Sequence, residues 1–141
     1  MDITFTNEIT VEDYNYLRKA VGWSELEEKL ATNSIKNALF IVAAVFEGKT
    51  IGMARVSGDG GYIIFIADVI VLPDYQNKGI GKQLMTRAMS YIKEVFLEEG
   101  QLVFVNLMSA KGREPFYEKF GFEKRPNEKY GSGMTQWIRK E

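Results

Sequence analysis

The amino-acid sequence predicts an α/β fold built on a mixed, mostly antiparallel central sheet. Three features carry that expectation. Leu39–Phe46 and Thr50–Ser57 are β-branched and aromatic runs joined by the turn residues Glu47-Gly48-Lys49, the pattern of a hairpin. Tyr62–Leu72 is a long, nearly continuous apolar run, as in a strand buried on both faces in the middle of a sheet. That run, a long amphipathic helix and the β-rich run Leu102–Leu107 follow in order, which makes a right-handed crossover between two parallel strands.

The elements follow one another without a repeat or linker, as one domain over residues 1–141. A short strand is expected near Ile3–Thr6. Thr10 precedes Val11, Tyr14, Leu17, Arg18 and Val21 at helical spacing, with Glu12 and Asp13 in the first turn and Gly22 as the stop. Ser24 is expected to cap a second short helix through Leu26 and Leu30. Ser57-Gly58-Asp59-Gly60-Gly61 marks a second turn, and Pro73 closes the buried strand. Ile80, Leu84, Ala88, Ile92 and Phe96 then recur at i+4, with Met85, Met89 and Val95 widening the stripe and Gly100 as a stop. Arg113–Phe120 reads as a short helix ended by Gly121. Phe122–Arg125 and Met134–Arg139 read as closing strands around the loop Pro126–Gly133.

Composition narrows the chemistry. The chain has 141 residues, 45% hydrophobic and 26% charged, with a net charge of -1. That is enough for one sizeable core, and it leaves no basic excess for nucleic acid. No apolar run approaches membrane-spanning length. Met1-Asp2-Ile3-Thr4-Phe5 lacks a charged region followed by an apolar stretch, so the expected location is cytoplasmic. Cysteine and histidine are both absent, which excludes thiol nucleophiles, thiolate or imidazole metal sites and a histidine base. No metal is expected. Carboxylates, tyrosine, lysine, hydroxyls and backbone amides remain.

Gln76-Asn77-Lys78-Gly79-Ile80-Gly81 lies between the buried strand and the long helix, where backbone N–H groups and a helix N-terminus converge on an anion. Gly79 and Gly81 let a phosphate approach the backbone, and Lys78 and Lys82 add charge at the rim. A P-loop fails here, because Gln83 follows Gly81-Lys82 and Gln76 stands where its first glycine belongs. A dinucleotide fingerprint fails because Leu84 stands at its third glycine. The surviving pattern, Q-x-x-G-x-G between strand and helix, resembles the signature of the GNAT superfamily of N-acetyltransferases, where this loop grips the pyrophosphate of coenzyme A. Phe116-Tyr117-Glu118-Lys119-Phe120-Gly121-Phe122 is similar to the second signature of that family, at the family's spacing, and the likeness covers essentially the whole chain.

The resemblance implies a GNAT-like single domain with about four helices and a parallel strand pair splayed around the acyl-CoA site. It implies acetyl-CoA as cosubstrate, pantetheine paired with the backbone of Val69, Ile70 and Val71, and an oxyanion role for the amide nearest Val71. It makes Tyr117 the candidate acid for the leaving thiolate; read from the residues alone, Tyr117 is instead an amphipathic core aromatic beside Phe116 and Phe120. Many family members carry an asparagine about five residues before that tyrosine. Ala110-Lys111-Gly112-Arg113 stands there instead; Asn106 lies upstream at a different spacing as a candidate for holding CoA, and Lys111 and Arg113 read equally as contacts to a CoA phosphate or as solvated surface charges.

Asp68 is the only charge in Tyr62–Leu72, and strict alternation places it on one face with Ile64, Ile66 and Ile70. Two readings stand: the general base for the acceptor ammonium, or a structural carboxylate bonded to backbone or to an arginine such as Arg55. Glu114 and Glu118 read as surface charges. Residues 8–28 hold six acids (Glu8, Glu12, Asp13, Glu25, Glu27, Glu28) against Arg18 and Lys19, a skew that suits a cationic amine or simply a solvated helix face. Tyr14, Trp23, Tyr130 and Trp137 are core or pocket aromatics. The function expected is transfer of an acetyl group to a small primary amine. The alternatives are a catalytically silent acyl-CoA-binding sensor and a plain interaction domain. Relatives are often homodimers through the late strands, which makes Met134–Arg139 a candidate interface by resemblance.

Overall fold

The computed structural model describes residues 1–98 and 101–140. The chain divides into two compact units, Met1–Leu107 and Met108–Glu141. The first is built on five strands, β1 (Thr4–Thr6), β2 (Phe40–Phe46), β3 (Lys49–Gly58), β4 (Ile63–Val71) and β5 (Phe104–Leu107), in that spatial order. β1 through β4 are antiparallel neighbours, and β4 and β5 run parallel. Helix α1 (Val11–Ala20) and helix α2 (Glu28–Lys36) join β1 to β2, and helix α3 (Ile80–Phe96) is the crossover from β4 to β5. No helix among the described residues is long and apolar enough to cross a membrane.

Local chemistry explains most boundaries. Thr10 caps α1, its side chain accepting from the Asp13 amide at 3.0 Å. Glu47 and Gly48 both take positive φ, 49° and 75°, and close a two-residue hairpin between β2 and β3. Such turns match the right-handed twist of the strands they join. Ser24 does not cap α2. Glu27 does, its carboxylate accepting from the amides of Lys29 and Leu30, and the Ser24 carbonyl accepts instead from Arg18. A carboxylate at a helix N-terminus satisfies two orphan donors and meets the positive end of the dipole. Helix α3 ends at Phe96; the expected stop at Gly100 lies outside the described residues.

Residues paired across antiparallel strands share a face of the sheet. Gly52, Ala54 and Val56 of β3 face α3: an added Cβ at Gly52 would stand 3.3 Å from Leu84 Cδ1. Ile51, Met53 and Arg55 face α1 and α2. Tyr14, Leu17, Ile51, Met53, Ile70, Ile80 and Leu84 are all essentially fully buried and belong to one core. Burial of such side chains contributes roughly 1.5–3 kcal/mol each.

Strict alternation along β4 does not hold. The register passes from Ile66 opposite Val56 and Ala67 opposite Arg55 to Ile70 opposite Met53, so β4 carries one extra residue over this stretch. Asp68 takes φ 54° within it. A bulge of this kind reverses the inside–outside parity of everything beyond it. Ile64 and Ile66 therefore face α3, whereas Asp68 and Ile70 face α1, and the expected shared face of all four is corrected.

In the second unit, helix α4 (Glu114–Glu118) is shorter than the expected Arg113–Phe120, and Gly121 with φ 92° follows it. The expected closing strands Phe122–Arg125 and Met134–Arg139 are not formed. Met134, Trp137 and Ile138 are 88%, 94% and 85% exposed. A β-rich run becomes a strand only when a neighbour takes its N–H and C=O groups, and among the described residues none runs beside it.

Candidate active site

The site grows out of the C-terminal half of β4. The parallel ladder pairs Ile63 through Ile66 with Phe104 through Leu107 and stops there. From Ala67 to Val71 that side of β4 has no strand partner among the described residues, while its other side stays paired with β3. Two parallel strands have parted and left backbone groups facing a gap. Val69 and Val71 are half-buried, and Ile70 is buried in the core, so its contribution to a ligand in the gap is through its backbone.

The glycine turn lies directly beyond. After Val71 the chain makes one 3-10 turn over Pro73–Tyr75 and enters α3. The Gln76 side-chain amide donates to the Val71 carbonyl at 2.9 Å, tying the turn to the end of β4. Asn77 and Gly79 are left-handed, with φ 64° and 81°, around Lys78. Gly79 is the N-cap of α3, and no side chain caps the helix. The amides of its first turn are therefore open to an anion, and nothing lies within 4 Å of the position of a Gly79 Cβ. Lys78 and Lys82 are exposed at the rim, and Ile80 is buried beneath the turn as the first apolar anchor of α3. This cradle of uncovered amides and flanking lysines fits the diphosphate of a coenzyme A. Asn106, on β5, donates to the Phe104 carbonyl of its own strand at 3.3 Å.

Asp68 holds the other end of the gap. Tyr14 donates its hydroxyl proton to Oδ2 at 2.6 Å, Arg55 Nε to the same oxygen at 2.8 Å, and Arg18 Nη1 to Oδ1 at 3.3 Å. The second reading of Asp68, a carboxylate bonded to Arg55, describes this geometry. Burial first, then the hydrogen bond to Asp68, push the Tyr14 phenol up to about 12. The roles of Tyr14 and Arg18 escape a reading by residue type. Their signal is positional: Arg18 is a charge inside the helical stripe Tyr14, Leu17, Val21, and a charge on a buried face needs a partner there.

Tyr117 and Lys111 belong to the second unit. Tyr117, on α4, is half-buried and meets Phe116 and Phe122 edge-on, with ring centroids 5.0 and 6.4 Å apart. Burial raises its pKa against a weaker downward pull from Arg113. The phenol is thus protonated at neutral pH. Lys111 is exposed in the turn before α4, beside Gly112 with φ 89°.

The profile of the acetyltransferase (GNAT) domain matches residues 36–124. A Staphylococcus aureus protein of unknown function is 34% identical, with a TM-score of 0.82, over 96% of this chain and 100% of its own. A GNAT-family acetyltransferase from Streptococcus pneumoniae is 32% identical, with a TM-score of 0.77, over 99% of this chain and 98% of its own. An uncharacterized N-acetyltransferase of Pyropia yezoensis is 26% identical over 123 residues, 84% of this chain and 68% of that relative.

Proposed function

The chain belongs to the GNAT family of acetyltransferases, and from that premise we propose that it moves an acetyl group from acetyl-CoA to a primary amine of a small molecule, by direct attack in a ternary complex. The observation that carries the reading is the unpartnered backbone edge of β4 running into an uncapped glycine turn. Acetyl-CoA, when bound, supplies the acetyl group as a thioester. In the proposal Gln76 braces the turn, the amides of Asn77–Gly81, with Lys78 and Lys82, hold the diphosphate, and the backbone of Val69–Val71 holds the pantetheine arm. Asn106 and Lys111 supply further polar contacts to the CoA. The amide nearest Val71 faces the thioester oxygen, where negative charge grows during attack.

The acceptor ammonium first gives one proton to water, because no histidine is present and the Asp68 oxygens already accept from Tyr14, Arg18 and Arg55. The free amine then forms the C–N bond as the C–S bond breaks. Tyr117 gives its phenolic proton to the departing thiolate and is reprotonated, through solvent, by the proton shed from the new amide nitrogen. In this scheme Asp68 organises the site and is not the base.

A second reading, a catalytically silent acyl-CoA sensor, draws on that same engagement of Asp68, which takes this carboxylate out of the role of a free base. The proposal also includes a homodimer through Met134–Arg139, supported by the exposed Met134, Trp137 and Ile138.

Thermal unfolding with and without acetyl-CoA, repeated on Gly81→Glu, tests the cosubstrate site. At about 100 times its Kd the ligand stabilises the wild type by roughly 2.7 kcal/mol and leaves the variant unmoved. A folded wild type indifferent to acetyl-CoA sinks both readings. Stabilisation with no thiol released from any amine in a panel selects the sensor.

A further inference from the structure

The two ion pairs formed among the described residues converge on one carboxylate, that of Asp68. Two guanidinium charges against one carboxylate leave one positive charge over. The three side chains are only 15%, 16% and 8% exposed for Arg18, Arg55 and Asp68. A clamp between helix and sheet needs one arginine; a second half-buried cation carries a desolvation cost with no counter-charge.

Neither guanidinium is used up. Arg18 donates from Nε to the Ser24 carbonyl at 2.9 Å and from Nη1 to Asp68. Arg55 donates from Nε to Asp68 and from Nη1 to the Ser34 carbonyl at 3.4 Å. Each is thus fixed by two anchors, and among the described residues neither Nη2 has a hydrogen-bond partner. A guanidinium held at two corners with one amino edge uncommitted is preorganised for an oxyanion. Trp23, 39% exposed, lies against Arg18, whose Cζ is 5.4 Å from the ring, and adds an apolar wall. The cluster stands at the bulge where β4 has just left β5.

We propose that Arg18 and Arg55 seat a carboxylate or phosphate group carried by the acceptor, so that the amine acetylated belongs to an anionic small molecule. This rests on the acetyl-transfer reading above and narrows its substrate class.

The test uses matched pairs of amines with acetyl-CoA and follows thiol release: an α-amino acid against its decarboxylated amine, and an amino sugar phosphate against the free amino sugar. The anionic member of one pair is preferred by about tenfold or more in kcat/KM, as expected for charge-assisted hydrogen bonds. Which pair shows the preference separates carboxylate from phosphate. Arg18→Gln erases it through the KM for the acceptor, with the KM for acetyl-CoA unchanged. Equal rates within both pairs, or a preference that survives Arg18→Gln, overturn the proposal. The Nε–Hε resonances of Arg18 and Arg55 in the wild type, titrated with inorganic phosphate and with acetate, give a readout that needs neither the variant nor turnover. Saturating shifts support the seat, and unmoved resonances overturn it. Saturating shifts with no thiol released from any amine sink the transfer reading and leave the seat standing.

Discussion

Tyr14 keeps its proton in the folded chain because burial and the bond to Asp68 both favour the neutral phenol, with a pKa pushed from 10 to about 12. The unfolded chain loses that proton near pH 10, so stability is full below pH 10 and falls as pH climbs toward about 12. Urea midpoints on either side of pH 10 show this loss in the wild type, and Tyr14→Phe shows a smaller one, left by the other phenol raised by burial, Tyr117. At neutral pH the same variant is less stable by about 1.5–3 kcal/mol, the worth of a hydrogen bond to a charged group. Asp68→Ala costs more, about 3–5 kcal/mol in urea unfolding, because it leaves two half-buried guanidinium groups without their counter-charge. Tyr117→Phe lowers the rate of thiol release by about 10²–10⁴-fold while acetyl-CoA still raises the melting temperature, if the phenol is the acid. Single residues were the least legible part of the sequence. Asp68 is visible as a lone charge in an apolar run, but its partners lie 54 and 50 residues upstream and 13 residues upstream, on two other elements. Periodicity carries no information about such distances.

Elements were far more legible, because each carries its own punctuation. Thr10, Glu47-Gly48, Pro73 and Gly121 all sit where the chain changes direction. The cap of α2 was harder to see, since a glutamate is an uncommon N-cap and Ser24 a common one. Glu27→Ala should cost about 1 kcal/mol in chemical denaturation, and Ser24→Ala close to nothing, because only the backbone of Ser24 is engaged. The bulge was illegible: one extra residue in an apolar strand changes no residue type. Its packing is tight on the facing strand. An alanine Cβ at Gly52 would stand 2.9 Å from the Ile70 carbonyl oxygen as well as against Leu84. Gly52→Ala should therefore cost about 1–3 kcal/mol and also weaken the stabilisation by acetyl-CoA, since β4 must shift to admit the methyl. A loss of stability with an unchanged response to acetyl-CoA separates the two consequences.

At the scale of the molecule, the α/β class, the first hairpin and the crossover follow from local patterns that agree with one another, whereas the late strands do not, because a strand is a property of two segments. Trp137 is 94% exposed and Trp23 is 39% exposed. Iodide should quench Trp137 the more strongly in dilute protein, and protection of Trp137 that grows with protein concentration is expected of the homodimer proposed through Met134–Arg139. Quenching independent of concentration sinks that pairing. The charges tell a second story. Of the 18 lysines and arginines and 19 aspartates and glutamates, those that pair among the described residues meet at Asp68 alone. Loss of Asp68 strands two half-buried guanidinium charges at a cost that is a large share of a domain's stability, about 5–15 kcal/mol. A lineage can drop one arginine and keep a matched pair, but it cannot drop Asp68 while either arginine stays. Among descendants of a common ancestor, Asp68 should therefore be present wherever either arginine is, and the second arginine should be the first of the three to vary.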